Sequence, residues 1–157
     1  MSIEKAREHL KKFGAEDKIL EFDVSSATVE LAAKALGCEP CQIAKTMAFA
    51  LGEESILILA AGDVKIDNPK FKAEFSAKAK MVDRDALEQK VGHAVGGVCP
   101  FGINNGVRVF LDESLKRFEV VYPAGGSSNS AVRLSICELE KFSGYEKWVD
   151  VCKPYGE

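Results

Sequence analysis

The run Ile43–Leu51, the short turn Gly52-Glu53-Glu54 and the run Ser55–Ala60 do most to restrict what this chain can fold into. Two apolar runs split by a short glycine-containing turn read as a β-hairpin. In the second run, Ile56-Leu57-Ile58-Leu59-Ala60 is apolar without a break. A strand of that kind has no face to offer water, so it belongs at the centre of a sheet covered on both sides. Lys45 interrupts the first run, and the period of two places it on one face with Ile43, Met47 and Phe49. That placement predicts a semi-buried ammonium held in a pocket; the alternative is a solvated edge position.

Around this hairpin the chain alternates short helices and short strands. Ile3, Ala6, Leu10 and Phe13 recur at helical spacing, with Gly14 as a stop. Lys18–Phe22 reads as a strand. Asp23, Ser25 and Ser26 offer caps for a helix over about Thr28–Leu36 that Gly37 ends. Further helices are expected over Asp67–Ala77, over Arg84–Val91 behind a capping Asp83, and from a capping Ser135 to about Glu140. Strands are expected at Met81–Val82, Val107–Leu111, Phe118–Tyr122, Ala131–Leu134 and Trp148–Val151, with a polar loop over Pro123–Ser130. Neither a repeat nor a linker interrupts residues 1–157, which therefore read as one domain of the mixed α/β (α+β) class. The connections near Glu53 and between Leu111 and Phe118 are too short for parallel crossovers, so a curved, largely antiparallel sheet flanked by short helices is expected.

Composition narrows the functional classes. The formal net charge of -3 argues against a protein held to nucleic acid mainly by non-specific phosphate contacts, though not against one that grips a single RNA end. No stretch reaches the length of a membrane span. Met1–Lys12 has no apolar segment of the signal-peptide kind. A cytoplasmic address with neither membrane nor DNA as partner follows as the expectation. Five cysteines, an odd number, do not suggest a disulfide framework. Cys38 and Cys41 follow a helix rather than open one, and no second close pair completes a four-ligand set, so neither a metal nor a cofactor is expected. His9, on the polar face of the first helix, reads as solvated.

Chemistry concentrates in the run Gly96-Gly97-Val98-Cys99-Pro100-Phe101-Gly102. Glycine lets another backbone or a ligand approach closely, and proline fixes φ, so this loop has a shaped backbone whose N–H groups can converge on an oxygen. An ordinary turn is the competing reading. Cys99 with His93 is a conceivable nucleophile pair, but no helix starts directly after Cys99 to activate it, and a pocket-lining role suits it better. Nucleophile-elbow, P-loop, zinc-protease and dinucleotide fingerprints are missing.

Lys45 within Gln42-Ile43-Ala44-Lys45-Thr46, the Gly-Gly-x-Cys-Pro-x-Gly loop about fifty residues later and the Ala124-Gly125-Gly126 loop form a combination that resembles the YbaK/ProX-type aminoacyl-tRNA deacylases. The opening Phe22–Ala32 is similar to the EbsC-like branch, and the resemblance runs from about Thr28 to Leu139. It implies an editing domain like that of bacterial prolyl-tRNA synthetases, acting on the ester at the 3′ end of mischarged tRNA, with an aminoacyl-tRNA synthetase as a further partner. It also implies that Lys45, with the backbone of Gly96, Gly97 and Val98, carries the reaction. Thr28, Thr46, His93, Cys99, Pro100, Phe101, Gly102, Gly125 and Gly126 then line the substrate pocket, although Thr28 and His93 fit structural roles equally well. The nucleophile is water or a group on the substrate. Cys99 stands where many members carry Ser or Thr, and Ser127-Ser128-Asn129-Ser130 is less basic than is common, which leaves the edited amino acid open. A non-catalytic module that binds tRNA ends, nucleotides or a protein is the alternative.

Overall fold

The computed structural model describes residues 2–155. Its scaffold is the expected hairpin, strand β2 (Ile43–Leu51) against β3 (Glu54–Ala61), antiparallel from Ala44↔Ala61 to Leu51↔Glu54. Every residue from Ile56 to Ala61 is fully buried, as the unbroken apolar run requires. Four other strands build outward: β5 (Arg108–Asp112), β6 (Val120–Pro123), β8 (Leu134–Ser135) and β9 (Lys147–Val149), in the order β8-β6-β2-β3-β5-β9. Two small antiparallel pairs complete the framework, β1 (Ile19–Glu21) with β7 (Ser130–Val132) and β4 (Val64–Ile66) with β10 (Cys152–Pro154).

The architecture is a mixed α/β domain with a curved six-stranded sheet, and the strand directions are more mixed than the short connections suggest. The hairpin and the β6–β8 pair are antiparallel, but β2–β6, β3–β5 and β5–β9 run parallel. The link from Leu111 to Phe118 is indeed too short for a crossover. Its two strands run in opposite senses without being neighbours, because β5 adds beyond β3 and β6 beyond β2. The long connection from Ala61 to Arg108 supplies the crossover that makes β3–β5 parallel.

The helices are α1 (Ser2–Lys11), α2 (Val29–Leu36), α3 (Asn68–Phe75), α4 (Leu87–Val91) and α5 (Ile136–Ser143). Thr28 caps α2, its hydroxyl accepting from Leu31 N–H, and Gly37 closes it in the left-handed conformation. Ser135 and Glu138 form a reciprocal capping box on α5. Asp83 does not cap its helix: a 3₁₀ turn over Arg84–Ala86 intervenes, and Asp83 makes no side-chain cap there. An aromatic chain from Phe49 through Phe71 and Phe75 to Phe110, with centroids 4.7–5.1 Å apart, packs α3 on one face of β2-β3-β5. On α1, His9 is not solvated. Its Nε2 lies 2.6 Å from the carbonyl of Phe142, and its ring lies 5.7 Å from that of Phe101.

Candidate functional site

The site lies at a break in strand pairing. β3 occupies one edge of β2 along its length. On the other edge, β6 pairs only with Ile43 and Ala44, through Tyr122 and Pro123. Pro123 has no N–H to donate, which ends that ladder. Farther along the same edge, Ala50 N–H donates to Lys80 O at 2.8 Å and Val82 N–H to Ala48 O at 3.0 Å, with Met81 facing Phe49. The interval Lys45–Met47 lies between these two pairings, and there a cavity of about 220 Å³ opens. Residues from both faces of β2 contribute to its wall (Ile43 and Lys45 from one, Ala44, Thr46 and Ala48 from the other). The start of α2, Ser26–Val29, forms a further side, and Gly96 and Val98 another.

The glycine loop divides into two halves with different jobs. Gly96 and Val98 face the cavity, whereas Cys99 and Phe101 are fully buried in the core. Gly97 is wedged against the next loop: a Cβ there would meet Gly126 C and Ser127 N at 2.7 Å. Its N–H is already spent on Ala94 O at 3.1 Å. Among the described residues no acceptor takes the N–H of Gly96 or Val98, and both residues line the cavity. Gly102 closes the loop at φ +73°, with Lys5 O only 2.4 Å from where a Cβ would sit.

His93 and Cys99 belong to the plug rather than the cavity. His93 Nε2 lies 2.6 Å from Phe101 O, and Cys99 Sγ lies 3.6 Å from the same nitrogen. With Nε2–H donating to that carbonyl, Nδ1 is the bare nitrogen, buried and without a described partner. Burial pushes the imidazole pKa down and the Cys99 thiol up to about 12. Both groups stay neutral, which is unsuited to a thiolate–imidazolium pair. Pro100 is buried beside them.

Gly125 and Gly126 are buried behind the cavity, in a loop that fixes the approach to α2. Ser26 N–H donates to Ser128 O at 2.7 Å, Phe22 N–H to Asn129 O at 2.8 Å, and the Ser26 hydroxyl to Ser130 O at 3.3 Å. Thr28 joins both readings offered by the sequence: it caps α2, and it lines the cavity. The Thr46 hydroxyl is buried in the wall with no described partner.

Lys45 is half-buried, as its position in the strand pattern implies. Its ammonium donates to Val64 O and lies 3.2 Å from the Tyr155 hydroxyl. Asp63 is nearby, its carboxyl held below the usual range chiefly by hydrogen bonds from Arg117 and in smaller part by Lys45. Sequence reasoning missed Tyr155 because β10 is three residues long and carries no periodic signal. Among the described residues no cluster of three or more His, Cys, Asp or Glu is placed to hold a metal ion.

A family model described as an aminoacyl-tRNA editing domain matches residues 23–142, which include all the cavity-lining residues but not Tyr155. The chain belongs to that family. The uncharacterized Bacillus subtilis protein YwhH is 46% identical over 156 residues, covering 99% of both chains. A proline--tRNA ligase of Desulforamulus reducens is 33% identical over 86 residues, 54% of this chain but 15% of the ligase. The crystal structure of a proposed trans-editing enzyme for prolyl tRNA synthetase superposes with a TM-score of 0.87, at 27% identity over 97% of each chain. The fold of this editing-domain protein therefore extends beyond the matched segment, through α1 and the C-terminal strands.

Proposed function

We propose that this editing-domain protein is a trans-acting deacylase that hydrolyses the ester of mischarged aminoacyl-tRNA, of the Cys-tRNA(Pro) or Ala-tRNA(Pro) type. The observation that carries the reading is that Gly96 and Val98, whose N–H groups meet no acceptor among the described residues, line one small cavity together with Lys45. Attack on an ester builds negative charge on the carbonyl oxygen. Fixed N–H groups in a water-poor site lower the barrier to that step by several kcal/mol. The Lys45 ammonium is the group suited to the ribose and phosphate of the terminal adenosine. The small cavity, walled by Ala32, Ala44 and Ala48, suits a short aminoacyl side chain.

With neither Cys99 nor His93 on the cavity, the nucleophile is water or a substrate group such as the ribose 2′-hydroxyl or a cysteinyl thiol. The departure from Ser or Thr at Cys99 then leaves the chemistry untouched, since that side chain is core. The cytoplasm, where tRNA is charged, is the compartment this reaction calls for, and a prolyl-tRNA synthetase is the partner it implies. Purified protein incubated with Cys-, Ala- and Ser-tRNA(Pro) tests the proposal: at least one ester is expected to disappear faster than in buffer. Saturable binding of all three without turnover would instead establish a non-catalytic binding module.

A further inference from the structure

The C-terminal strand brings an aromatic residue up to the Lys45 ammonium from outside the family-matched segment. β10 pairs with β4 in the register Cys152↔Ile66, Lys153↔Lys65, Pro154↔Val64. This ladder leaves Tyr155 next to the residue whose carbonyl receives the Lys45 ammonium. The Tyr155 hydroxyl is 3.2 Å from Lys45 Nζ, and its ring centroid is 5.1 Å from the same nitrogen. The Lys65 ammonium lies 6.0 Å from that ring. The side chain is nonetheless 61% exposed, so apolar burial does not account for its place. Lys65 and Lys153 are like charges directly opposite each other, a pairing that weakens a two-stranded ladder.

An ammonium has three N–H donors on a flexible stem. Val64 O takes one, and the phenol oxygen is placed to take a second, which leaves one directed donor. Resting on the editing reading, we infer that Tyr155 is a positioning residue: it fixes the Lys45 ammonium so that its remaining N–H meets a substrate oxygen. The ring packs beside the same nitrogen from its hydroxyl edge, its centroid 5.1 Å away. Phenylalanine at this position keeps the ring and loses the oxygen, whereas alanine loses both.

The test compares wild type, Tyr155→Phe and Tyr155→Ala in steady-state deacylation of mischarged tRNA(Pro). A second, activity-independent readout is the acetylation rate of Lys45 by the N-hydroxysuccinimide ester of acetic acid, followed by peptide mass spectrometry. Tyr155→Ala is expected to lower kcat about tenfold with KM within about twofold, and Tyr155→Phe to lower it about threefold, as misplacing one group does. Lys45 acetylation is expected to quicken at least about threefold in Tyr155→Ala, because the amine is released from its partner. A kcat within twofold of wild type, or a loss confined to KM, overturns the inference, and so does unchanged Lys45 acetylation. Should wild type cleave no ester, the editing reading fails by itself. Faster acetylation in Tyr155→Ala would still uphold the clamp on Lys45 in that case.

Discussion

The Thr46 hydroxyl lies buried in the cavity wall and meets no described partner. An orphaned polar group of this kind lowers stability unless a ligand completes it. Thr46→Val, which keeps the shape and removes the orphan, is therefore expected to raise stability by about 1 kcal/mol while lowering deacylation about tenfold. Calorimetry and single-turnover assays on one preparation read the two effects together; a loss of both would mark Thr46 as a packing residue. Cys99 is the opposite case. Its thiol is buried and pushed up to about 12, so it stays protonated at pH 8. Iodoacetamide at that pH is expected to label exposed Cys137 and spare Cys99 in the folded protein, as peptide mapping would show. The sequence reading disfavours Cys99 as a nucleophile for want of a following helix and places it on the pocket wall instead. That the residue leaves the pocket altogether, with Phe101, depends on packing that no local pattern encodes.

Among the elements, the glycine loop and the start of α2 carry the site, and they separate experimentally. Gly97→Ala places a methyl 2.7 Å from the Gly126–Ser127 backbone, which has no side chain to yield. It is expected to destabilise the protein by about 1–3 kcal/mol and to remove most activity by shifting the loop. Thr28→Ala removes the cap bond to Leu31 and is expected to cost about 1 kcal/mol, with activity falling because α2 lines the cavity. Ser135→Ala removes a comparable cap on α5, which does not line the cavity, and so should lower Tm similarly with deacylation preserved.

These helices were legible because caps, glycine stops and apolar spacing lie within one or two turns of sequence. The hairpin was legible because its partners are adjacent. What escaped is non-local: the three-residue ladders β1–β7 and β4–β10, and the Lys80–Val82 pairing that walls the cavity. The sequence pattern marks β1, β7 and Met81–Val82 as strands, but partners that lie far along the chain leave no local signal, and β4 and β10, three residues each, show no period at all. The break beside Lys45 follows from Pro123, visible in the sequence, but only the pairing of β6 with β2 gives that proline its meaning.

At the scale of the whole molecule, the buried neutral groups set a pH window. His93 has a folded pKa below its ordinary 6.5, so the unfolded chain binds more protons below that value, and stability falls as pH drops through 6.5. Cys99 and Cys152 are raised from 9.0 to about 12, so the unfolded chain ionises first and stability falls as pH climbs above 9.0. Urea titrations across pH should therefore show a maximum between these limits; a curve still rising at pH 10 would contradict the assignment.

In the proposed reaction, catalysis resides in the gap beside β2, with Lys45 and the Gly96 and Val98 backbone rather than a protein nucleophile. The rate of deacylation of mischarged tRNA(Pro) by wild type and by Lys45→Ala, both shown to be folded by circular dichroism, tests this most directly. The predicted result is a loss of about a hundredfold or more in Lys45→Ala, with wild type well above buffer hydrolysis. Full activity in Lys45→Ala would contradict it.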